Sequence, residues 1–251
     1  MAEDKLRLDK LVQSRHPELS RSTIVNLIKQ GLVSVDGQVL GRPGALVHPA
    51  CELIVDLRLS KYVSRAGFKL EYALKHFEVK VNNLIALDAG ISTGGFTDCL
   101  LQHGVARVYG VDVGHGQTSP KILTDSRVVI FEKINLRTFS SLPELVDLVT
   151  LDLSFISVLK VIKNVSQLMK PEAMLLVLVK PQFELEQTLI GSGGIVRKAE
   201  LRELAIKKVV SGVTAEYFTC MGVYELPILG GDGNQEFMAY FLKQKKGKDA
   251  N

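Results

Sequence analysis

The sequence predicts an α/β protein: a parallel sheet with helices over both faces, preceded by a small α+β unit. Three observations carry that expectation. From residue 84 onward, short apolar runs alternate with stretches of helical period, the signature of strands joined by crossover helices. A glycine-rich turn, LDAGISTGGF, leaves the first of those runs and opens a helix. The first 57 residues instead read as two helices followed by a hairpin.

Residues 6 to 15, LRLDKLVQSR, place Leu8, Leu11 and Val12 on one face of a short amphipathic helix. Ser20 is a candidate N-cap for the helix RSTIVNLIKQ, and Gly31 stands where a left-handed C-terminal cap belongs. In LVSVDGQVL two strand-like runs flank Asp36-Gly37, the dipeptide suited to a two-residue type I′ turn. Cys51 to Val55 reads as one more strand, which closes a domain over residues 1–57, with a linker over 58–64 and the large domain from 65 to 251.

The large domain is expected to run as helix Ala66 to Phe77, strand Leu84 to Leu87, helix Gly94 to His103 and strand Arg107 to Val111. Strands Val128 to Glu132 and Leu145 to Leu151, helix Ser157 to Met169 and strand Ala173 to Val179 follow. Helix Lys198 to Val210 and strands near Phe218 and over Phe237 to Phe241 complete the sheet. Such alternation implies parallel pairing with both faces covered.

Composition narrows the function. Lys and Arg number 31 against 27 Asp and Glu, a mild basic bias that permits a nucleic-acid partner without requiring one. Cys51, Cys99 and Cys220 have no metal-ligand spacing and read as reduced, core-filling residues, so no metal is expected. The basic run Lys243 to Lys248 reads as a solvated end. No window approaches the roughly 18 apolar residues of a membrane span, and the first ten residues are too polar for a secretory signal, so the cytoplasm is the expected compartment.

In open α/β sheets, ligands bind beyond the carboxyl ends of the strands. The first strand leaves at Asp88 into a turn with Gly90, Gly94 and Gly95, where a ligand can lie against bare backbone. The turn lacks both G-x-G-x-x-G and a P-loop lysine. The next strand leaves at Asp112, 24 residues on, where an acid can take both hydroxyls of a ribose, so an adenosine-containing cofactor is expected. Other charges stand at the remaining ends: Asp152 after VDLVTL, Lys180 after LLVLV, Glu236 ahead of FMAYF, and Lys69 on the helix that opens the domain. Each alone is an ordinary surface charge; four at corresponding ends point to a site.

The stretches DAGISTGGFTDCLLQHGVARVYGVDVGHGQ, VDLVTLDLSFIS, LVKPQFE, GSGGIVR and GNQEFMAYF resemble the TlyA family of ribosomal RNA 2′-O-methyltransferases, often labelled hemolysins, and LSRSTIVNLIKQGLVSVDG resembles that family's S4 RNA-binding domain. The resemblance implies a Rossmann-like, RrmJ/FtsJ-like methyltransferase sheet, S-adenosyl-L-methionine as methyl donor, and methylation of a ribose, cytidine in that family, in ribosomal RNA or a ribosomal subunit. It assigns Lys69, Asp152, Lys180 and Glu236 as the catalytic set. For the cofactor it carries over Asp88, Gly90, Ser92, Thr93, Gly94, Gly95, Phe96, Asp112 and Asn135. The S4-like unit would set Arg7, Lys10, Arg15 or Arg21 against RNA phosphates. The chain departs from the family pattern at Ala66, Ile91, His115, Thr118 and Pro120, and lacks an acidic-proline step after Arg197.

A free lysine has a pKa of about 10.4, so Lys180 can act as a base only if its surroundings lower that value, and Lys69 is the candidate neighbour. Two other classes are weaker. A non-catalytic RNA-binding or assembly module would not need the four-residue set, and a membrane-lytic protein would need a span or a strongly basic amphipathic helix.

Overall fold

A computed structural model describes residues 5–29, 31–56 and 61–245. Most of the expected linker's first half and the last part of the basic run at Lys243 to Lys248 lie outside the described residues. The chain divides into two compact units between Arg65 and Ala66.

The first unit contains β1 (Leu6–Arg7), α1 (Leu8–Arg15), α2 (Arg21–Lys29), β2 (Val33–Val35), β3 (Gln38–Val39), β4 (Leu46–Val47) and β5 (Leu53–Val55). Leu8, Leu11 and Val12 of α1 meet Ile24, Leu27 and Ile28 of α2 over Val33, and all are buried, as their spacing requires. Ser20 Oγ accepts the Thr23 N–H at 3.1 Å, the N-cap bond that its position forecast. Ser20→Ala should therefore destabilise this unit by about 1 kcal/mol in a denaturant titration. Asp36 and Gly37 both have positive φ, 49° and 77°, and turn β2 into β3; β5 pairs with the other edge of β2. The β1–β4 ladder was not legible in the sequence because it is two residues long.

In the second unit, α3 (Ala66–His76) precedes β6 (Ile85–Ala89), α4 (Gly95–Gln102), β7 (Arg107–Val111), α5 (Pro120–Leu123) and β8 (Val128–Phe131). Then come β9 (Val146–Leu151), a 3₁₀ turn (Val158–Lys160), α6 (Ile162–Gln167), β10 (Met169–Val179), α7 (Pro181–Glu184), α8 (Ala199–Thr214), β11 (Phe218–Glu225) and β12 (Phe237–Lys243). The sheet order is β11-β12-β10-β9-β6-β7-β8. Pairing is parallel from β10 through β8, as the alternation implied, but β12 runs antiparallel to both β10 and β11, a reversal that the alternation did not signal. The reason is topological: β11 and β12 are joined without a crossover helix, and a direct return can only reverse direction.

The expected helix over Ser157 to Met169 is corrected. Ser157 starts a 3₁₀ turn, α6 ends at Gln167, and β10 begins at Met169 with a register irregularity before Met174. Pro171 forces Lys170 out of helical conformation, and Glu172 takes φ 62°, so the chain leaves the helix early and bulges into the strand. Leu175 to Val179 are at most 1% exposed, a fully buried central strand. Strand order reverses beside β6, with β7 on one side and β9 on the other, and this crevice is where the functional site forms.

Candidate active site

The floor of the site is a pair of turns held together by one acid. Asp112 Oδ2 accepts the Ser92 N–H at 2.8 Å and its Oδ1 accepts the Gly114 N–H at 2.7 Å, so the exits of β6 and β7 are stitched to each other. Thr118 Oγ1 donates to Ser92 O at 3.1 Å and Ser119 N to Thr93 O at 3.2 Å, which ties the following loop to the same turn. Thr118 and Pro120 thus serve this loop, Pro120 as the first residue of α5. His115 Nδ1 pairs with Glu132 Oε2 at 2.7 Å. Ile91 fills the space over Gly110, where a Cβ would overlap its side chain.

Between these turns and the end of β9 lies a cavity of about 370 Å³, within the range of small-molecule sites. Gly90, Ser92, Asp112 and Asn135 line it, together with Gln117, Asp152 and an apolar wall of Val111, Leu136, Leu153 and Ile156. Gly90 has φ 92°, and a Cβ there would overlap the Asp152 backbone oxygen, so only glycine keeps the cradle open. Asn135 Oδ1 accepts the Arg137 N–H at 3.0 Å, which leaves its NH₂ for a ligand. Acid on one side, an amide on the other and an apolar wall between them suit a ribose and a purine.

Asp88, Thr93, Gly94, Gly95 and Phe96 stand behind this cavity rather than on its surface. Asp88 is 1% exposed; its Oδ2 accepts from Thr97 N at 3.0 Å and Thr97 Oγ1 at 2.6 Å, and its Oδ1 from Thr150 Oγ1 at 3.0 Å. It therefore fixes the α4 N-terminus against β9. Burial pushes its carboxyl up to about 6, against the opposing bonds from the two threonines. A raised folded value means that the stability this group contributes is full below about pH 4 and is lost as pH rises through about 6. The expected result is that Asp88→Asn gains stability relative to the parent between pH 4.5 and pH 7.5 in thermal unfolding; a loss over that interval would refute it.

The four charges at the strand ends meet as two ion pairs. Lys69 Nζ donates to Glu236 Oε2 at 2.6 Å, with both side chains at most 10% exposed. Lys180 Nζ lies 2.5 Å from Asp152 Oδ1 and donates to Ser154 Oγ at 3.0 Å. Lys180 therefore has the Asp152 carboxylate as its ion-pair partner and not the Lys69 cation named from the sequence, whose own partner is Glu236. Antiparallel register sets Val179 opposite Phe237, which brings the adjacent residues Lys180 and Glu236 to the same edge and links the two pairs.

Several residues of the site were not singled out from the sequence. Phe155 is 91% exposed, has φ 64°, and packs at 5.1 Å against Phe183 on the rim of the cavity. A bulky residue in the left-handed region is strained, and this one stands in water. The aromatic residue in LSF was the available signal. Asn234 is 1% exposed; its Oδ1 accepts from Val196 N at 2.9 Å and its Nδ2 donates to Gly194 O at 3.0 Å, which fastens the GSGG loop beside Glu236.

In the first unit, Lys10 and Arg21 are exposed. Arg7 is engaged by Asp9 through two hydrogen bonds, at 3.0 and 2.7 Å, and Arg15 Nη2 donates to Pro49 O and Cys51 O. Those two guanidinium groups hold local structure as well as charge.

Residues 62–243 match the family described as FtsJ-like methyltransferase, and residues 6–52 match the S4 domain. The 16S/23S rRNA (cytidine-2′-O)-methyltransferase TlyA of Mycobacterium tuberculosis is 35% identical, over 96% of this chain and 91% of its own. A solved structure of a hemolysin-named protein of Streptococcus thermophilus superposes with TM-score 0.76 at 34% identity, over 98% of this chain and 90% of that one. The N-methyltransferase NodS of Bradyrhizobium japonicum, solved with S-adenosyl-L-homocysteine, shares the fold: TM-score 0.51, 18% identity, 75% of this chain and 92% of that one.

Proposed function

The chain belongs to the FtsJ-like methyltransferases, in the branch that carries an S4 domain and includes TlyA, and from that premise we propose that it methylates the 2′-hydroxyl of a cytidine in ribosomal RNA, with S-adenosylmethionine as donor. The observation that carries the reading is the double ion pair, Lys69 with Glu236 and Lys180 with Asp152, beside a cavity that suits an adenosine. Asp112 would take the ribose hydroxyls, Asn135 the adenine, and Gly90 the remaining chain of the cofactor, with Asp88, Thr93, Gly94, Gly95 and Phe96 shaping the turn from behind. When bound, S-adenosylmethionine supplies an electrophilic methyl group on a sulfonium.

The protein's own task is to aim a poor nucleophile and receive its proton. Holding the hydroxyl in line is worth effective molarities of roughly 10⁵ to 10⁸ M, and general-base help about 10²- to 10⁴-fold. Lys180 steers the 2′-hydroxyl; to take its proton the lysine must enter the step as the free amine, with Asp152 then holding the ammonium that forms. Lys69 and Glu236 lock the neighbouring strand end, so the lysine cannot wander. The exposed Phe155 ring, with the half-buried Phe183 ring beside it, offers the target base a stacking surface, as single-stranded RNA readers do. The S4 unit supplies phosphate contacts through Lys10 and Arg21, with Arg7 and Arg15 adding the charge that their internal bonds leave.

No helix among the described residues is long and apolar enough to cross a membrane. Calorimetry with S-adenosylmethionine, followed by mapping of 2′-O-methyl positions in ribosomal RNA from cells with and without the protein, tests the reading. A cytidine methylated only when the protein is present is the expected result. Absence of cofactor affinity, even with RNA added, would favour a non-catalytic RNA-binding module.

A further inference from the structure

Outside the cofactor cavity, a groove runs on both sides of the Phe155–Phe183 pair. One arm, of about 690 Å³, is lined by Arg137, Lys160 and Lys208 with Gln182, Glu186 and Gln187. The other, of about 550 Å³, is lined by Gly191, Gly193, Gly194 and Asp232 and by no cation. Phe155, Gln182, Phe183, Gln187 and Ile190 belong to both, so the arms are continuous past the mouth of the site.

The two arms differ in charge, and the cations of the first stand on fixed backbone. Arg137 N donates to Asn135 Oδ1, and Arg137 O accepts from Asn164 Nδ2. Lys160 ends the turn that Ser157 caps, where Lys160 N donates to Ser157 O at 3.1 Å. That turn is bolted to α7 by the buried Glu184, which accepts from Ser157 Oγ at 2.5 Å and Val158 N at 2.9 Å. Both side chains are exposed, and among the described residues no carboxylate pairs with either. Lys208 is already used, since its Nζ donates to the Glu184 carbonyl. Glu184 is hydrogen-bonded and buried, so Glu186 is the one exposed carboxylate that lines this arm.

We propose that this groove is the track for the RNA strand that flanks the target nucleotide, with Arg137 and Lys160 on its phosphates. The inference rests on the ribose-methylation reading above and adds a phosphate-binding site within the methyltransferase unit itself. A strand whose base stacks at Phe155 must continue in both directions. Its charged backbone finds Arg137 and Lys160 on the walls of one arm, whereas the walls of the other carry glycine backbone and Asp232, with the Arg197 guanidinium beside Gly191. Charge complementarity thus orients the strand across the site.

The test uses the full chain with isolated ribosomal subunits and S-adenosylmethionine. Removing two single-strand phosphate contacts should lower the slope of log affinity against log salt by about 1.4. Arg137→Ala/Lys160→Ala is expected to show that change and a raised apparent Kd and KM for the subunit, with cofactor affinity unaltered. Lys80→Ala, which removes an exposed cation from the loop entering β6, is expected to leave the slope where it was. A double variant with the parent's slope, or a Lys80→Ala slope reduced as much, would overturn the track. Methylation by the parent protein separates the two ideas: if the parent methylates while the double variant keeps its slope, only the track fails; if the parent does not methylate, the underlying reading fails first.

Discussion

Lys180→Met should bind S-adenosylmethionine as the parent chain does and transfer methyl groups about 10²- to 10⁴-fold more slowly, the loss expected when a positioned proton acceptor is removed. The side chain contacts Asp152 and Ser154 beside the cavity rather than filling it, so cofactor affinity is a fair control. Lys180→Arg should not rescue activity, because a guanidinium stays protonated and cannot accept the hydroxyl proton. Single-turnover methylation of ribosomal subunits with saturating cofactor reads the chemical step directly. Full transfer by Lys180→Met would remove Lys180 from the mechanism and leave Asp152 as the acceptor to examine.

The second large effect concerns stability. Lys69 and Glu236 form an ion pair at 2.6 Å with relative exposures of 10% and 3% for the two side chains, and Gly230 is bare where a Cβ would overlap the Glu236 carboxylate. Lys69→Met leaves that carboxylate buried without its partner, and breaking such a pair costs about 3–5 kcal/mol. Replacing both, as Lys69→Met/Glu236→Leu, should recover much of this loss, because neither charge is then stranded. Denaturant unfolding of the two variants gives the comparison, and the double variant should fold yet remain inactive. A Lys69→Met cost below about 1 kcal/mol would show that Glu236 finds water or another donor, and the pair would not be the lock inferred for the β12 end.

Much of this was written in the chain. The strands of the large unit were legible because Leu175 to Val179 and their parallel neighbours are buried on both faces and therefore uniformly apolar. The N-terminal helices were legible because Ser20, Gly31 and the Asp36-Gly37 turn act within a few residues of themselves. Boundaries failed where a local signal competed with the fold: Pro171 ended a helix that its apolar period would have continued, and β12 reversed direction because of its neighbour in the chain. The two-residue β1–β4 ladder carries too few residues to show a period at all.

The candidate site divides in the same way. The residue types at the strand ends, Asp112, Asp152, Lys180 and Glu236, and Lys69 on α3, follow from the sequence, since a sheet's carboxyl edge gathers whatever its strands end on. Which charge faces which partner does not follow, because Lys69 and Glu236 are 167 residues apart and meet only through the antiparallel return of β12. Nor could the sequence separate Asp88, which is buried and satisfied by Thr97 and Thr150, from Asp112, which lines the cavity, although both end a strand in the same motif. Sequence alone determined which chemistry-bearing groups arrive at one edge of the sheet; tertiary packing decided which of them are satisfied by the protein and which are left for a ligand, because burial and partner geometry are properties of the assembled sheet and not of any single strand.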